Sequence, residues 1–200
     1  MTRLLLVRHA QSEWNALGRW QGWSDPPLSS LGREQARAAV PALGGFDAVV
    51  ASDLVRARDT AAILADALGL GPVAIDPRLR ERDVGEWAGL TREQIDERWP
   101  GALDQPGGPR PPGGESPPQV FARARRALDE LAVTYGEAEL LVVTHGGVIR
   151  GVERHFDIEP APLPNLGGVW LDVEHGRWEL ETRVLLVGPN DVPVTVPRQL

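Results

Sequence analysis

The chain has 200 residues, a formal net charge of −7, no cysteine, and 21 basic residues that are all arginine. A chain of this length buries roughly 70% of the surface its unfolded form exposes, so no disulfide or metal staple is needed. The missing cysteine excludes thiol nucleophiles and Cys-ligated zinc or iron-sulfur sites. The missing lysine excludes Schiff-base and P-loop chemistry, and the acidic balance argues against nucleic acid or anionic membrane as partners.

The first predicted element is a buried strand, Leu4-Leu5-Leu6-Val7, ending in Arg8 and His9. It is too short for a secretory apolar region, and no later stretch approaches a membrane span, so the expectation is a soluble cytoplasmic protein. Residues 11–17 read as a short helix or turn, and 18–27 as a loop holding Trp20, Gly22 and Trp23. Ser29 or Ser30 is placed to cap a helix that stops near Pro41 and Gly44. Asp47 to Ala51 forms a second strand, and Ser52 or Asp53 is expected to cap a helix whose apolar positions Leu54, Ala57, Ala61, Leu64 and Leu68 run to Gly69.

A short third strand, Val73 to Ile75, precedes a loop over 79–89 and a short helix from Thr91 to Trp99. The proline- and glycine-rich stretch 100–118 reads as a surface excursion within a single domain spanning 1–200. A long helix over Pro118 to Tyr135 is followed by strand Leu140 to Thr144, and Gly146-Gly147 then opens a helix through Phe156. Val169 to Val173 and Trp178 to Val187 alternate around His175-Gly176 as an edge hairpin. From about 188 an irregular tail is expected, either covering a site or supporting a homodimer. The alternation of strands and helices predicts an α/β fold, a mainly parallel central sheet flanked by helices on both faces.

In such a sheet the chemistry collects at the carboxyl ends of the strands, which is where His9 and His145 fall. A lone histidine is more often a satisfied structural residue than a catalyst. An arginine and a histidine ending an apolar strand are costly to bury, however, unless an anion meets them. Arg56 falls in the first turn of its helix, where the macrodipole is already positive. An ion pair with Asp53 or Asp59 is the plain alternative; together with Arg8 it suggests a phosphate clamp.

The segment from Leu6 to Asn15, then Gly18-Arg19-Trp20-Gln21-Gly22 and Leu28-Ser29-Ser30-Leu31-Gly32, closely resembles the histidine phosphatase superfamily, which includes the cofactor-dependent phosphoglycerate mutases. Ser52-Asp53-Leu54-Val55-Arg56-Ala57, Leu79-Arg80-Glu81, Gly85-Glu86-Trp87-Ala88-Gly89, Gly114-Glu115-Ser116 and Val143-Thr144-His145-Gly146 extend the match in family order. The resemblance implies a phosphoglycerate mutase-like fold. It also implies a metal-independent phosphomonoesterase that needs no cofactor and acts on a small phosphorylated metabolite.

By the same resemblance His9 is the nucleophile that forms a phosphohistidine, Arg8, Arg56 and His145 hold phosphoryl oxygens, and Asn15 and Gln21 help bind phosphate or substrate. Asn15 and Gln21 read equally as turn residues making local hydrogen bonds. Glu81 matches the acid/base position, with Glu86 and Asp83 as rivals in sequence and salt bridges to Arg80 or Arg82 as the plain alternative. The family pattern usually has glycine where Ala10 stands, so a modest effect on backbone fit is expected. The segment 81–89 resembles the phosphatase branch rather than the mutases; a mutase and a catalytically weak phospho-ligand-binding relative are the alternatives. Four histidines without paired metal spacing and the absence of a Gly-x-Ser-x-Gly elbow disfavour metal-dependent and serine hydrolases.

Overall fold

Leu4 to Val7 lack a polar position because both sides of the strand are covered: Leu5 and Val7 join one apolar cluster, Leu4 and Leu6 the other. Burial on both faces is the mark of interior strands in a mainly parallel sheet. In the computed structural model, which describes residues 1–105, 108–159, 161–188 and 191–196, this run is β1, Thr2–Arg8. The remaining strands are β2 (Ala48–Ala51), β3 (Ala74–Ile75), β4 (Glu139–Thr144), β5 (Gly167–Glu174) and β6 (Arg177–Leu185). They form one six-stranded sheet in the order β3-β2-β4-β1-β5-β6. The first four in that order are parallel, while β5 runs antiparallel to β1 and β6 antiparallel to β5.

The helices are α1 (Glu13–Ala16), α2 (Ser30–Ala38), α3 (Val55–Leu68), α4 (Arg92–Arg98), α5 (Pro117–Tyr135) and α6 (Gly146–His155). On one face of the sheet, Ala36 of α2 and Ala57, Ala61 and Leu64 of α3 pack with Leu5, Val7, Leu141 and Val143. On the other, Ala127 and Leu128 of α5 and Ile149 and Val152 of α6 pack with Leu4, Leu6, Leu140 and Val142. The expected three-layer α/β arrangement is therefore present. Among the described residues no helix is long and apolar enough to cross a membrane.

Three details differ from expectation. The N-cap of α3 is Leu54, not Ser52 or Asp53; the Val55 N–H is met by Asp25 Oδ1 at 2.7 Å, because Ser52 and Asp53 are engaged by His145 and Arg80. The excursion is not only surface, since Leu103 is buried in a satellite cluster with Trp20, Val84, Trp87 and Ile95. Residues 106 and 107 of the excursion lie outside the described residues, as do 189, 190 and 197–200 of the tail. The described tail has no regular element, as expected, yet it packs back: Val192 and Val194 join the α2 and α3 face, and Pro193 O accepts from Gln35 Nε2 at 2.6 Å.

Candidate active site

Three parallel strands end side by side and carry the histidine side of the pocket. Arg8 is in register with Thr144, so the next residues, His9 and His145, emerge together; the His9 N–H bonds Thr144 O at 3.0 Å and the Ser52 N–H bonds Val143 O at 3.0 Å. The two imidazoles meet edge-on with centroids 5.1 Å apart. His9 Nδ1 lies 2.7 Å from the Ala10 carbonyl, and Arg56 Nε points at His9 Nε2 from 3.3 Å. A carbonyl only accepts and a guanidinium only donates. Nδ1 therefore carries the proton and Nε2 the lone pair. Burial, then Arg56 and Arg8, hold His9 well below the usual histidine range, which keeps that lone pair free.

His145 is likewise driven well below its usual range, by burial first and then by Arg56. Its Nε2 meets Ser52 Oγ at 2.9 Å, while the buried Nδ1 has no partner among the described residues. Arg8 gives one N–H to Leu163 O at 2.6 Å, and Arg56 bonds the Ser24 and Gly22 carbonyls, each at 2.8 Å. Neither ion pair considered for Arg56 forms, because Asp53 is taken by Arg80 and Asp59 by Arg33. Burial works against charge on both Arg8 and Arg56, a cost that a bound anion relieves. Ala10 is fully buried in the core cluster facing α2 and α3, so its methyl is accommodated in packed apolar space.

Asn15 and Gln21 line the pocket beside Arg8 and His9 and also make the local bonds anticipated for turn residues. Asn15 Oδ1 accepts from the Ser12 N–H at 3.2 Å, closing a capping box, and Gln21 Oε1 accepts from Ser12 Oγ at 2.7 Å. With both oxygens occupied, the amide N–H groups are what these side chains have left for a ligand.

Glu81 lines the same pocket. Its Oε1 accepts from the Arg82 N–H at 2.8 Å and from the Gly147 N–H, at the start of α6, at 3.0 Å. Glycine at 147 permits this seating, since a Cβ there would stand 2.0 Å from Oε1 and displace the carboxylate. Of the rivals, Glu86 is exposed and Asp83 caps the Gly85 N–H at 2.9 Å; neither lines the pocket. The backbone beneath Glu81 is tied at four successive carbonyls. Arg123 of α5 donates to those of Arg78, Arg80 and Glu81, at 2.8, 2.6 and 2.8 Å, and Thr144 Oγ1 donates to that of Leu79 at 2.8 Å. The Trp23 indole N–H adds a bond to Glu81 O at 2.8 Å.

Sequence reasoning missed Arg19, Arg82 and Arg150, which also line the pocket. Arg150 is a lone charge in the apolar run following His145, a signal that was available; it sits over Gly146, whose absent Cβ would come within 2.9 Å of its Nη1. Burial, with Arg154 and Arg82 nearby, lowers its affinity for a proton although Glu81 acts the other way. A second cavity adjoins the first through Trp20, Arg82 and Arg150 and continues to Arg92, Arg154 and the apolar wall of Leu103 and Val120. Trp87 is fully buried core, Trp20 forms pocket wall, and Trp23 lies under Arg80 at 5.0 Å. Among the described residues no three His, Asp or Glu side chains converge as a metal site.

The chain is 39% identical over 194 residues to a glucosyl-3-phosphoglycerate phosphatase of Mycobacterium tuberculosis, spanning 88% of this chain and 86% of that protein. A metal-independent phosphoserine phosphatase of Arabidopsis thaliana is 38% identical over 165 residues, 76% of this chain and 67% of the relative. The solved structure of a mycobacterial glucosyl-3-phosphoglycerate phosphatase complexed with VO3 superposes with a TM-score of 0.82 at 36% identity, covering 93% of this chain and 99% of that one. The family model for the histidine phosphatase superfamily (branch 1) matches residues 4–185, from the first residues of the strand that delivers His9 to the end of the edge hairpin. With sequence, fold and relatives in agreement, the chain belongs to the histidine phosphatase superfamily, in its phosphatase branch, and is a phosphoric monoester hydrolase.

Proposed function

We propose that this enzyme hydrolyses a small phosphomonoester in two displacements at His9. The Nε2 lone pair attacks phosphorus while the bond from phosphorus to the substrate oxygen breaks, and Glu81 gives its proton to the departing alcohol. The Glu81 carboxylate then takes a proton from water, whose oxygen attacks the phosphohistidine; the nitrogen–phosphorus bond breaks and inorganic phosphate leaves. Arg8, Arg56 and His145 hold the non-bridging oxygens throughout, with Asn15 and Gln21 adding amide donors. Their fixed donors stabilise charge that spreads over those oxygens in the transition state. The observation that carries the reading is the pair of bonds that sets the His9 tautomer, Nδ1 to the Ala10 carbonyl at 2.7 Å and Arg56 Nε to an unprotonated Nε2 at 3.3 Å, a donor that a phosphoryl oxygen would take over.

On the alcohol side the reading is a substrate whose leaving group carries a second anion, such as a carboxylate. Two arginine donors already face the phosphoryl group, and Arg82, Arg150 and Arg154 gather beyond it around the adjoining cavity. The apolar wall there would take the rest of the molecule. Relatives named for glucosyl-3-phosphoglycerate and phosphoserine support that class, since both names denote phosphate esters with a carboxylate.

The test is phosphate release from a panel of phosphomonoesters in EDTA, with 3-phosphoglycerate included to detect isomerisation. Release that persists in EDTA, is inhibited by vanadate, and favours anionic alcohols is expected. Isomerisation without release would make the protein a mutase, and neither activity would make it a phospho-ligand-binding relative.

A further inference from the structure

The residues that would carry the chemistry do not account for Arg123 and Glu115, which touch neither pocket. Arg123 Nε and Nη2 pair with Glu115 Oε1 and Oε2 at 2.8 and 2.7 Å. Its Nη1 divides between the Arg78 and Arg80 carbonyls, and Nη2 gives its other hydrogen to Glu81 O. A guanidinium has five N–H donors, and all five are used. Glu115 Oε2 meanwhile accepts from the Asp83 N–H at 2.9 Å. The pair thus grips the chain immediately before Glu81, at Glu81 itself, and two residues after it.

This grip is more than attachment of α5 to a neighbouring loop requires. The Glu81 carboxylate is seated on the start of α6, with the Gly147 N–H 3.0 Å from Oε1, and a Cβ at position 147 would enter only if that carboxylate swung away. Oε1 already accepts from both Arg82 and Gly147, so Oε2, whose one hydrogen bond among the described residues is the longer 3.2 Å bond to Gly147, is the oxygen left to carry a proton. A shift of a few tenths of an ångström at the backbone would exchange those roles or turn Oε2 away. We infer that the Arg123–Glu115 pair is a positioning device for the acid, fixing the backbone of Glu81 so that Oε2 faces the leaving oxygen. The inference rests on the reading of Glu81 as the acid. Lysine cannot replace Arg123, because one nitrogen with three donors cannot span three carbonyls and a bidentate carboxylate.

The experiment is kcat/KM for R123K and E115Q over phosphomonoesters of graded leaving-group pKa, from p-nitrophenyl phosphate to alkyl phosphates, with E81Q and the double variant R123K/E81Q alongside. kcat/KM covers steps up to departure of the alcohol, so it isolates the acid from the later water attack. R123K is expected to lose about tenfold or more on alkyl phosphates and about threefold or less on p-nitrophenyl phosphate, within the range general-acid catalysis supplies. E115Q should show the same selectivity, more weakly, and it carries the test if R123K does not fold. In the E81Q background R123K should cost little further. Equal losses across the series, or full additivity with E81Q, would overturn the positioning role while E81Q itself remains selective. If E81Q is unselective, the assignment of the acid has failed instead.

Discussion

His9 and His145 are fixed by the strands they follow, with the His9 N–H on the Thr144 carbonyl and the Ser52 N–H on that of Val143, whereas Glu81 stands on a loop held by side chains from α5, β4 and the 18–27 segment. The proposed phosphoryl half therefore inherits its geometry from sheet register. The half built on Glu81, the proposed acid, depends on hydrogen bonds made far away in sequence. Each half is therefore vulnerable in its own way. Substitutions at strand ends should remove chemistry and leave the fold, while the acid half can lose function through residues that never touch substrate.

The largest effect should come from His9→Ala, expected to lower kcat on the order of 10⁴-fold or more with the circular dichroism spectrum retained, as befits a covalent rather than packing role. Turnover close to wild type in that variant would contradict the mechanism. Arg56→Lys keeps a charge but loses the fork that bonds two carbonyls and faces Nε2, so a drop of about 10²-fold in kcat is expected. Arg154→Ala, outside the phosphoryl half, should cost roughly tenfold in kcat/KM for substrates with an anionic alcohol and leave neutral ones unaffected. Equal losses on both kinds would detach the second cavity from substrate choice.

The smallest effect concerns pH. His9 and His145 stay neutral in the folded protein well below 6.5, where they ordinarily titrate, so the unfolded chain takes up protons first as pH falls. Stability should be fully present above about pH 7 and be lost on acidification, at up to about 1.4 kcal/mol per pH unit for each histidine. Urea unfolding of wild type and His145→Gln between about pH 7 and 5.5 checks this. A slope unchanged by the substitution would remove His145 from the balance.

The same division explains what could be read without coordinates. Arg8, His9, Arg56 and His145 lie at strand ends or in a first helical turn, where short sequence patterns report position directly, and the structure brings all four together with Glu81. The sheet and its flanking helices followed from apolar runs of the right length. What stayed hidden is non-local. The helix cap on α3 comes from Asp25, thirty residues upstream, because Ser52 and Asp53 are engaged elsewhere. The role of Arg123 could not be separated from Arg125 and Arg126 on the same helix, since only the fold says which guanidinium meets the acid loop. The described part of the tail, residues 191–196, packs beside α2 through residues that nothing in its composition links to Gln35 or Asn165.

Because the proposed mechanism passes through a covalent intermediate at one ring nitrogen, the most direct measurement is rapid-quench trapping with a phosphoryl-labelled substrate in EDTA, followed by peptide mapping under alkaline conditions. An acid-labile, base-stable label is expected on the peptide carrying His9, formed at least as fast as steady-state turnover and absent in His9→Ala. Full turnover with no such label, or a label on any other residue, would contradict it.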